Sequence, residues 1–155
     1  MLVAAPSAAL AQAGVKIGYV NTERILRDAA PAKAAQRKLE KEFAERDREL
    51  QAIAGQLKSM GDTLERDSAI LTDTERRRRQ REYADLEKDF QRKQREFRED
   101  LNQRRNEELA QVLDRANRAI RQMADKERFD LIVQEAVFAS PRIDITDQVI
   151  KALSN

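Results

Sequence analysis

Between Leu39 and Leu64 the apolar residues fall on alternating steps of three and four. They are Leu39, Phe43, Leu50, Ile53, Leu57, Met60 and Leu64, with Arg46 at the one polar position of the series. That is a heptad seam, about two apolar positions in seven. A stripe so narrow cannot face a broad core, so the segment needs a partner helix. A second series supplies one. Tyr83, Leu86, Phe90 and Phe97 keep the heptad spacing. The series then runs in steps of four through Leu101, Arg105, Leu109 and Leu113, and returns to three and four at Ala116, Ile120 and Met123. An insertion of that kind locally unwinds a coiled coil. Thr72-Asp73-Thr74-Glu75 matches a capping box, so a helix restarts there and the chain turns near residues 65–72.

Composition supports helices in place of a compact core. Of 155 residues, 37% are charged and only 5% aromatic, whereas an ordinary globular domain is about a quarter charged. Disorder is the usual alternative, but disorder goes with a large net charge. Here 30 basic residues nearly cancel 28 acidic ones, which suits charge-laced helices. The chain has no His and no Cys. That excludes a thiolate nucleophile, a Ser-His triad, an imidazole base and a Cys/His zinc site. Neither common glycine-rich phosphate cradle occurs, so no cofactor is expected. Carboxylates such as Asp85, Glu87, Asp89, Glu107 and Glu108 lie on charged helix with no cleft to raise a pKa, so the chain reads as a non-enzyme. No apolar run approaches the roughly 20 residues of a spanning helix.

The ends of the chain differ from its middle. Residues 1–13 carry no charged side chain and close on Ala11-Gln12-Ala13, a small-x-small cleavage pattern. They read as the remnant of a signal peptide that lacks its basic end, outside the fold, with export as the consequence. Val15–Val20 reads as a strand. Asn21 or Thr22 caps a short helix with Ile25 and Leu26 as its apolar contacts, and Pro31 fits the first turn of the next helix. Phe129–Gln134 reads as a second strand and Val137–Ala139 as a third, joined by a tight hairpin over Glu135-Ala136. A last short helix follows, with Thr146 as its cap and Val149, Ile150 and Leu153 on its inner face. The fold class is therefore α+β and mostly α. A coiled-coil hairpin over residues 32–126 is joined to a β-rich assembly core from residues 14–31 and 127–155. Three short strands leave open edges, which self-association would cover. Ile17, Tyr19, Val20, Leu131 and Val133 are the assembly residues.

Three stretches in this order resemble the Skp/OmpH family of periplasmic chaperones for outer-membrane proteins. They are Lys16-Ile17-Gly18-Tyr19-Val20-Asn21, then Phe97-Arg98-Glu99-Asp100 through Arg104-Arg105-Asn106-Glu107-Glu108, then Phe129-Asp130-Leu131-Ile132-Val133 with Ile143-Asp144-Ile145-Thr146-Asp147. The resemblance covers essentially Lys16 to Leu153. It implies a homotrimer in which strands of three chains form a barrel carrying three helical hairpins. It also implies ATP-independent holding of unfolded outer-membrane β-barrel proteins, and a lipopolysaccharide contact matching Lys93 and Arg104, beside Arg105. Gln103 departs from the basic residue more usual there.

Other features bear on function. Arg76, Arg77, Arg78, Arg79 and Arg81 put five arginines in six residues just after the turn. Positive charge at a helix N-terminus opposes the macrodipole, so the run reads as a basic arm tip for acidic clients or an anionic membrane. Lys93, Arg104 and Arg105 also have acidic neighbours at intrahelical ion-pair spacing. Tyr83, Phe90 and Phe97 read as seam first and as a client-facing surface second. Two rival functions stand beside the chaperone: a structural coiled-coil adaptor for a folded partner, and a basic nucleic-acid binder. The near-equal acidic charge and the lack of aromatics within the arginine run weigh against nucleic acid.

Overall fold

A computed structural model describes residues 14–154; the signal-peptide reading of residues 1–13 lies outside them. The elements in chain order are β1 (Ile17–Tyr19), α1 (Thr22–Asp28), α2 (Ala30–Arg66), α3 (Asp73–Glu127), β2 (Leu131–Val133) and α4 (Thr146–Ala152). Two compact units result. One is built, within the described residues, from 14–30 and 114–154, and the other is Pro31–Leu113.

The first unit holds the strands. β1 and β2 pair in parallel, with Ile17 opposite Leu131, Gly18 opposite Ile132 and Tyr19 opposite Val133. The other edge of β1 is taken by the segment before α4. Tyr19 N–H donates to the Ile143 carbonyl at 2.7 Å, and Ile145 N–H donates to the Tyr19 carbonyl at 2.9 Å. This corrects the third strand expected at Val137–Ala139. Both edges of β1 are filled, and residues 134–139 form no strand or hairpin. Val137 and Phe138 are left in solvent.

Behind the strands, Val20, Ile25, Ala29, Ala116, Ile120, Ile145 and Val149 are buried. Asn21 caps α1 as expected, its side-chain oxygen accepting from Arg24 N–H at 2.9 Å. Thr146 does not cap α4. It is the first helical residue, and the Asp144 side chain accepts its N–H at 2.8 Å. The fully buried Thr146 hydroxyl instead accepts from Asn21 N–H at 2.9 Å, which ties the start of α4 to the start of α1. A buried donor and acceptor thus satisfy each other, as burial requires. Arg24 adds ion pairs to Asp144 and Asp147.

The second unit is a helical hairpin. α2 keeps its helix through Gly61 to Arg66, and residues 67–72 make the turn. Thr72 and Glu75 form the expected reciprocal cap: Glu75 N–H donates to the Thr72 hydroxyl at 3.3 Å, and Thr72 N–H to the Glu75 carboxylate at 3.4 Å. At 1.5 Å per residue α2 is about 55 Å long and α3 about 82 Å. The excess length of α3 is used in the first unit, where Ala116 and Ile120 are buried.

Two backbone positions set the strand unit's tolerance. A Cβ on Gly18 would meet Ile145 Cδ1 at 3.0 Å and Phe129 Cε1 at 3.1 Å. Arg128, just after α3, has φ 58°, and Phe129 N–H bonds back to the Ala124 carbonyl at 3.0 Å. Glycine is the usual residue at such a left-handed helix end. Urea unfolding is expected to show Gly18→Ala losing about 1–3 kcal/mol through overpacking. Arg128→Gly is expected to gain up to about 1 kcal/mol by relieving the left-handed backbone.

Candidate functional site

The hairpin of residues 31–113 is held by a seam one side chain wide. Every expected α2 seam position from Leu39 to Leu64, Arg46 included, is buried or half-buried, and most of their neighbours are exposed. Phe43 and Phe97 meet edge to face with centroids 5.6 Å apart. Such a pair adds about 0.5–1.5 kcal/mol beyond the area it buries. The Arg46 guanidinium lies 5.7 Å from the Phe43 ring and 5.8 Å from the Phe97 ring, and donates to Asp100 at 2.7 Å. This explains a charged residue on the seam: its plane covers two rings while its charge is paired across the hairpin. Tyr83 packs opposite Gly61, where an added Cβ would stand 3.7 Å from its ring. Tyr83, Phe90 and Phe97 are all half-buried on this line.

Ion pairs run beside the seam. Lys38 reaches Glu108 at 2.5 Å, Arg104 reaches Glu42 at 3.1 Å, and Lys93 bonds Glu49. As the α2 number climbs from 38 to 49, the α3 number falls from 108 to 93, so the ladder fixes an antiparallel register. Exposed pairs are each worth about 0–1 kcal/mol, so their main effect is alignment. Glu108 is the exception, at 6% exposed. It accepts from both Lys38 and Arg104, and Arg104 also bonds Glu107. The Lys38 hydrogen bond, seconded by Arg104, holds the Glu108 carboxyl below the ordinary carboxylate range against the opposing effect of desolvation. Gln103 and Arg104 do the same to Glu107. Glu42 first, then Glu107 and Glu108, push the Arg104 guanidinium up.

This cluster corrects the seam expected through Arg105, Leu109 and Leu113. The inward positions there are Arg104, Glu108 and Val112, one residue earlier, while Ala116 and Ile120 are buried as expected. Counting only apolar residues hid the shift, because two of the inward positions are charged and neutralise each other. Lys93 and Arg104 are therefore engaged with carboxylates of the opposite helix, while Arg105 is exposed and forms no ion pair among the described residues.

At the tip, Arg76 pairs with Asp73, Arg78 with Glu82 at 3.9 Å and Arg79 with Asp67 at 3.8 Å. Arg77 and Arg81 are exposed and form no ion pair among the described residues. A cleft of about 190 Å³ lies there, lined by Ser59, Met60, Thr63, Leu64, Arg78, Arg79 and Glu82. It is smaller than the roughly 300–1,000 Å³ of small-molecule pockets. Among the described residues no group of three or more acids could hold a metal, and no helix is long and apolar enough to cross a membrane.

The strand unit carries the other candidates. Val20 is fully buried within this chain, and Tyr19 and Val133 are half-buried. Ile17 and Leu131, register partners, are 39% and 51% exposed. Val15, Val137 and Phe138 add exposed apolar surface that no sequence period marks.

Comparison with known proteins places this geometry. The family model described as outer membrane protein (OmpH-like) matches residues 16–153. The chaperone protein Skp of Photorhabdus laumondii is 31% identical over 143 residues, 91% of this chain and 87% of its own length. That of Pectobacterium atrosepticum is 29% identical over 152 residues, 97% and 92% of the two chains. The solved structure of an OmpH-like outer membrane chaperone from Caulobacter crescentus CB15 superposes with a TM-score of 0.75 at 18% identity. It covers 92% of this chain and 85% of that one, and so supports the fold.

The depressed carboxylates have a definite pH consequence. Their folded pKa values lie below the unfolded ones, so their stabilisation is complete above the ordinary carboxylate value of about 4.3. It is lost as pH falls through the folded values. Acid titration followed by helicity is expected to show the hairpin weakening below that value. Glu108→Gln should flatten the acid limb, since it removes the group that Lys38 and Arg104 hold ionised.

Proposed function

Because this chain belongs to the OmpH-like outer membrane protein family, we propose that it is an ATP-independent holdase of the periplasm that keeps unfolded outer-membrane β-barrel proteins from aggregating before insertion. It is a chaperone and not an enzyme. The observation that carries this reading is the match to Skp chaperones across both the strand ends and the hairpin, over about nine-tenths of the chain. Neither the adaptor nor the nucleic-acid binder is favoured by those relatives.

The geometry suits such work. A hairpin with a narrow seam offers long exposed flanks and, at its tip, a cleft of about 190 Å³. Many weak contacts on such flanks hold an unfolded chain without selecting one conformation. No nucleotide is needed where the client's inserted state is much more stable than its held state. Self-association, as the trimer the resemblance implies, is assigned to the apolar surface of the strand unit around Ile17, Leu131, Val137 and Phe138, of which Phe138 is 83% exposed. Burying it would offset the cost of leaving those side chains in water. A lipopolysaccharide phosphate at Lys93 and Arg104 has to displace Glu49 and Glu42. Arg105 is the open member of that set.

Light scattering tests the reading. A urea-diluted outer-membrane β-barrel protein mixed with the full chain, without nucleotide, is expected to stay soluble near one client per three chains. A stable oligomer that leaves aggregation unchanged would move the assignment to the coiled-coil adaptor.

A further inference from the structure

The cleft of about 190 Å³ near the turn has two chemically distinct sides. From α2 come Met60 and Leu64, half-buried and four residues apart, with Ser59 and Thr63 beside them; from α3 come Arg78, Arg79 and Glu82. An apolar cavity of roughly 150 Å³ takes one benzene ring, so this cleft has room for a single side chain and not for a larger molecule. Its two arginines differ from Arg46, Arg92 and Arg104, which donate hydrogen bonds to carboxylates. Arg78 stands 3.9 Å from Glu82, and Arg79 stands 3.8 Å from Asp67. Those separations leave each guanidinium near a charge but beyond hydrogen-bond length. Arg79 is also half-buried, which limits the water that can serve its donors. The Thr63 hydroxyl donates to the Ser59 carbonyl at 2.8 Å, so its lone pairs and the Ser59 hydroxyl are left for a further partner.

We propose that the cleft holds the C-terminal residue of an unfolded polypeptide, with its free carboxylate on Arg78 and Arg79 and its apolar side chain against Met60 and Leu64. Capture of a chain-terminal carboxylate by positioned donors is a recurring mode of peptide recognition. The forked donors of arginine match a carboxylate at two points. Methionine lets the apolar side adapt to side chains of different shape. The Ser59 and Thr63 hydroxyl oxygens can accept the N–H of the bound residue. Glu82 would meet an acidic last side chain with like charge, which selects against it. The inference rests on the chaperone reading and names the part of the client that the tip takes. One end of the client is pinned there, while the weak contacts of the flanks hold the rest.

Fluorescence anisotropy with the full chain tests it. The probe is an N-terminally labelled hexapeptide of glycine and serine ending in leucine, made once with a free C-terminal carboxylate and once as the C-terminal amide. The acid form is expected to bind and the amide to bind roughly 10- to 100-fold more weakly, as the loss of a charged hydrogen bond implies. Arg79→Gln should weaken the acid form by a similar factor and leave the amide form unmoved. Lys58→Gln removes the same charge one residue from Ser59 and outside the cleft lining, and should stay near the parent. Should Arg79→Gln lower helicity by circular dichroism, Arg78→Gln and Met60→Ala are read in its place. Met60→Ala should weaken the leucine peptide severalfold and a glycine-ended peptide little. Equal binding of acid and amide would overturn the proposal, and so would equal losses in Arg79→Gln and Lys58→Gln. Competition by free leucine as strong as by the peptide would make this a site for an amino acid and overturn it as well. A chain that keeps the β-barrel client soluble yet binds acid and amide alike loses this site and keeps the chaperone reading. One that prefers the acid but leaves the client to aggregate keeps the site and loses the chaperone reading.

Discussion

The structure depends on the pairing of two three-residue strands from opposite ends of the chain. Ile17–Tyr19 lies in parallel register with Leu131–Val133, and a parallel pair needs a long crossover. Here the crossover contains α1, α2, the turn and all of α3. A single helix is enough for such a crossover, so the long hairpin is an elaboration that the strand pairing permits and does not require. The pairing itself is secured by neighbours. Lys16 donates to the Glu127 carbonyl at 2.9 Å and lies 4.0 Å from the Phe129 ring centroid, so the residue before β1 also finishes α3.

Between those ends the hairpin is held by little. A seam two positions wide in seven gives both helices a line of contact and leaves their flanks to solvent. The Phe43–Phe97 pair and the Arg46 guanidinium between them and Asp100 make an aromatic node on that line. Toward the base the apolar residues give way to Lys38, Glu42, Arg104 and Glu108, where charge neutralisation replaces oil. Breaking such a cluster on one side leaves an uncompensated charge, so it specifies register more strongly than it adds stability. A long surface with many weak contact points fits a protein that holds clients without choosing their shape.

Much of this was legible in the sequence. The α2 seam, the Thr72–Glu75 cap and the Asn21 cap each rest on local chemistry that reads in one direction. What was not legible depends on who competes for a partner. Val137–Ala139 has strand-forming residues, yet the segment ending at Ile145 takes the free edge of β1. Thr146 has a capping side chain, yet Asp144 reaches the orphan N–H and leaves the hydroxyl for Asn21. The returning seam slipped by one residue because Arg104 and Glu108 sit inward as a neutralised pair, which a hydrophobic period cannot register. The arginine run reads as a bare basic tip, but Asp67, Asp73 and Glu82 answer three of its members. Which of its cations lack an ion pair among the described residues emerges only when position on the helix is combined with the ion-pair pattern.

The central claim is that the hairpin, and not the strand unit, is what holds a client. Site-specific photo-crosslinking tests this most directly. A photoreactive residue is placed in turn at exposed positions along residues 31–113, such as Gln51 and Glu87, and at Val137 and Phe138. An unfolded outer-membrane β-barrel protein is then added to the full chain. The account predicts crosslinks to client spread along the hairpin, with chain-to-chain crosslinks at Val137 and Phe138. Client crosslinks confined to Val137 and Phe138, with the hairpin positions silent, would contradict it.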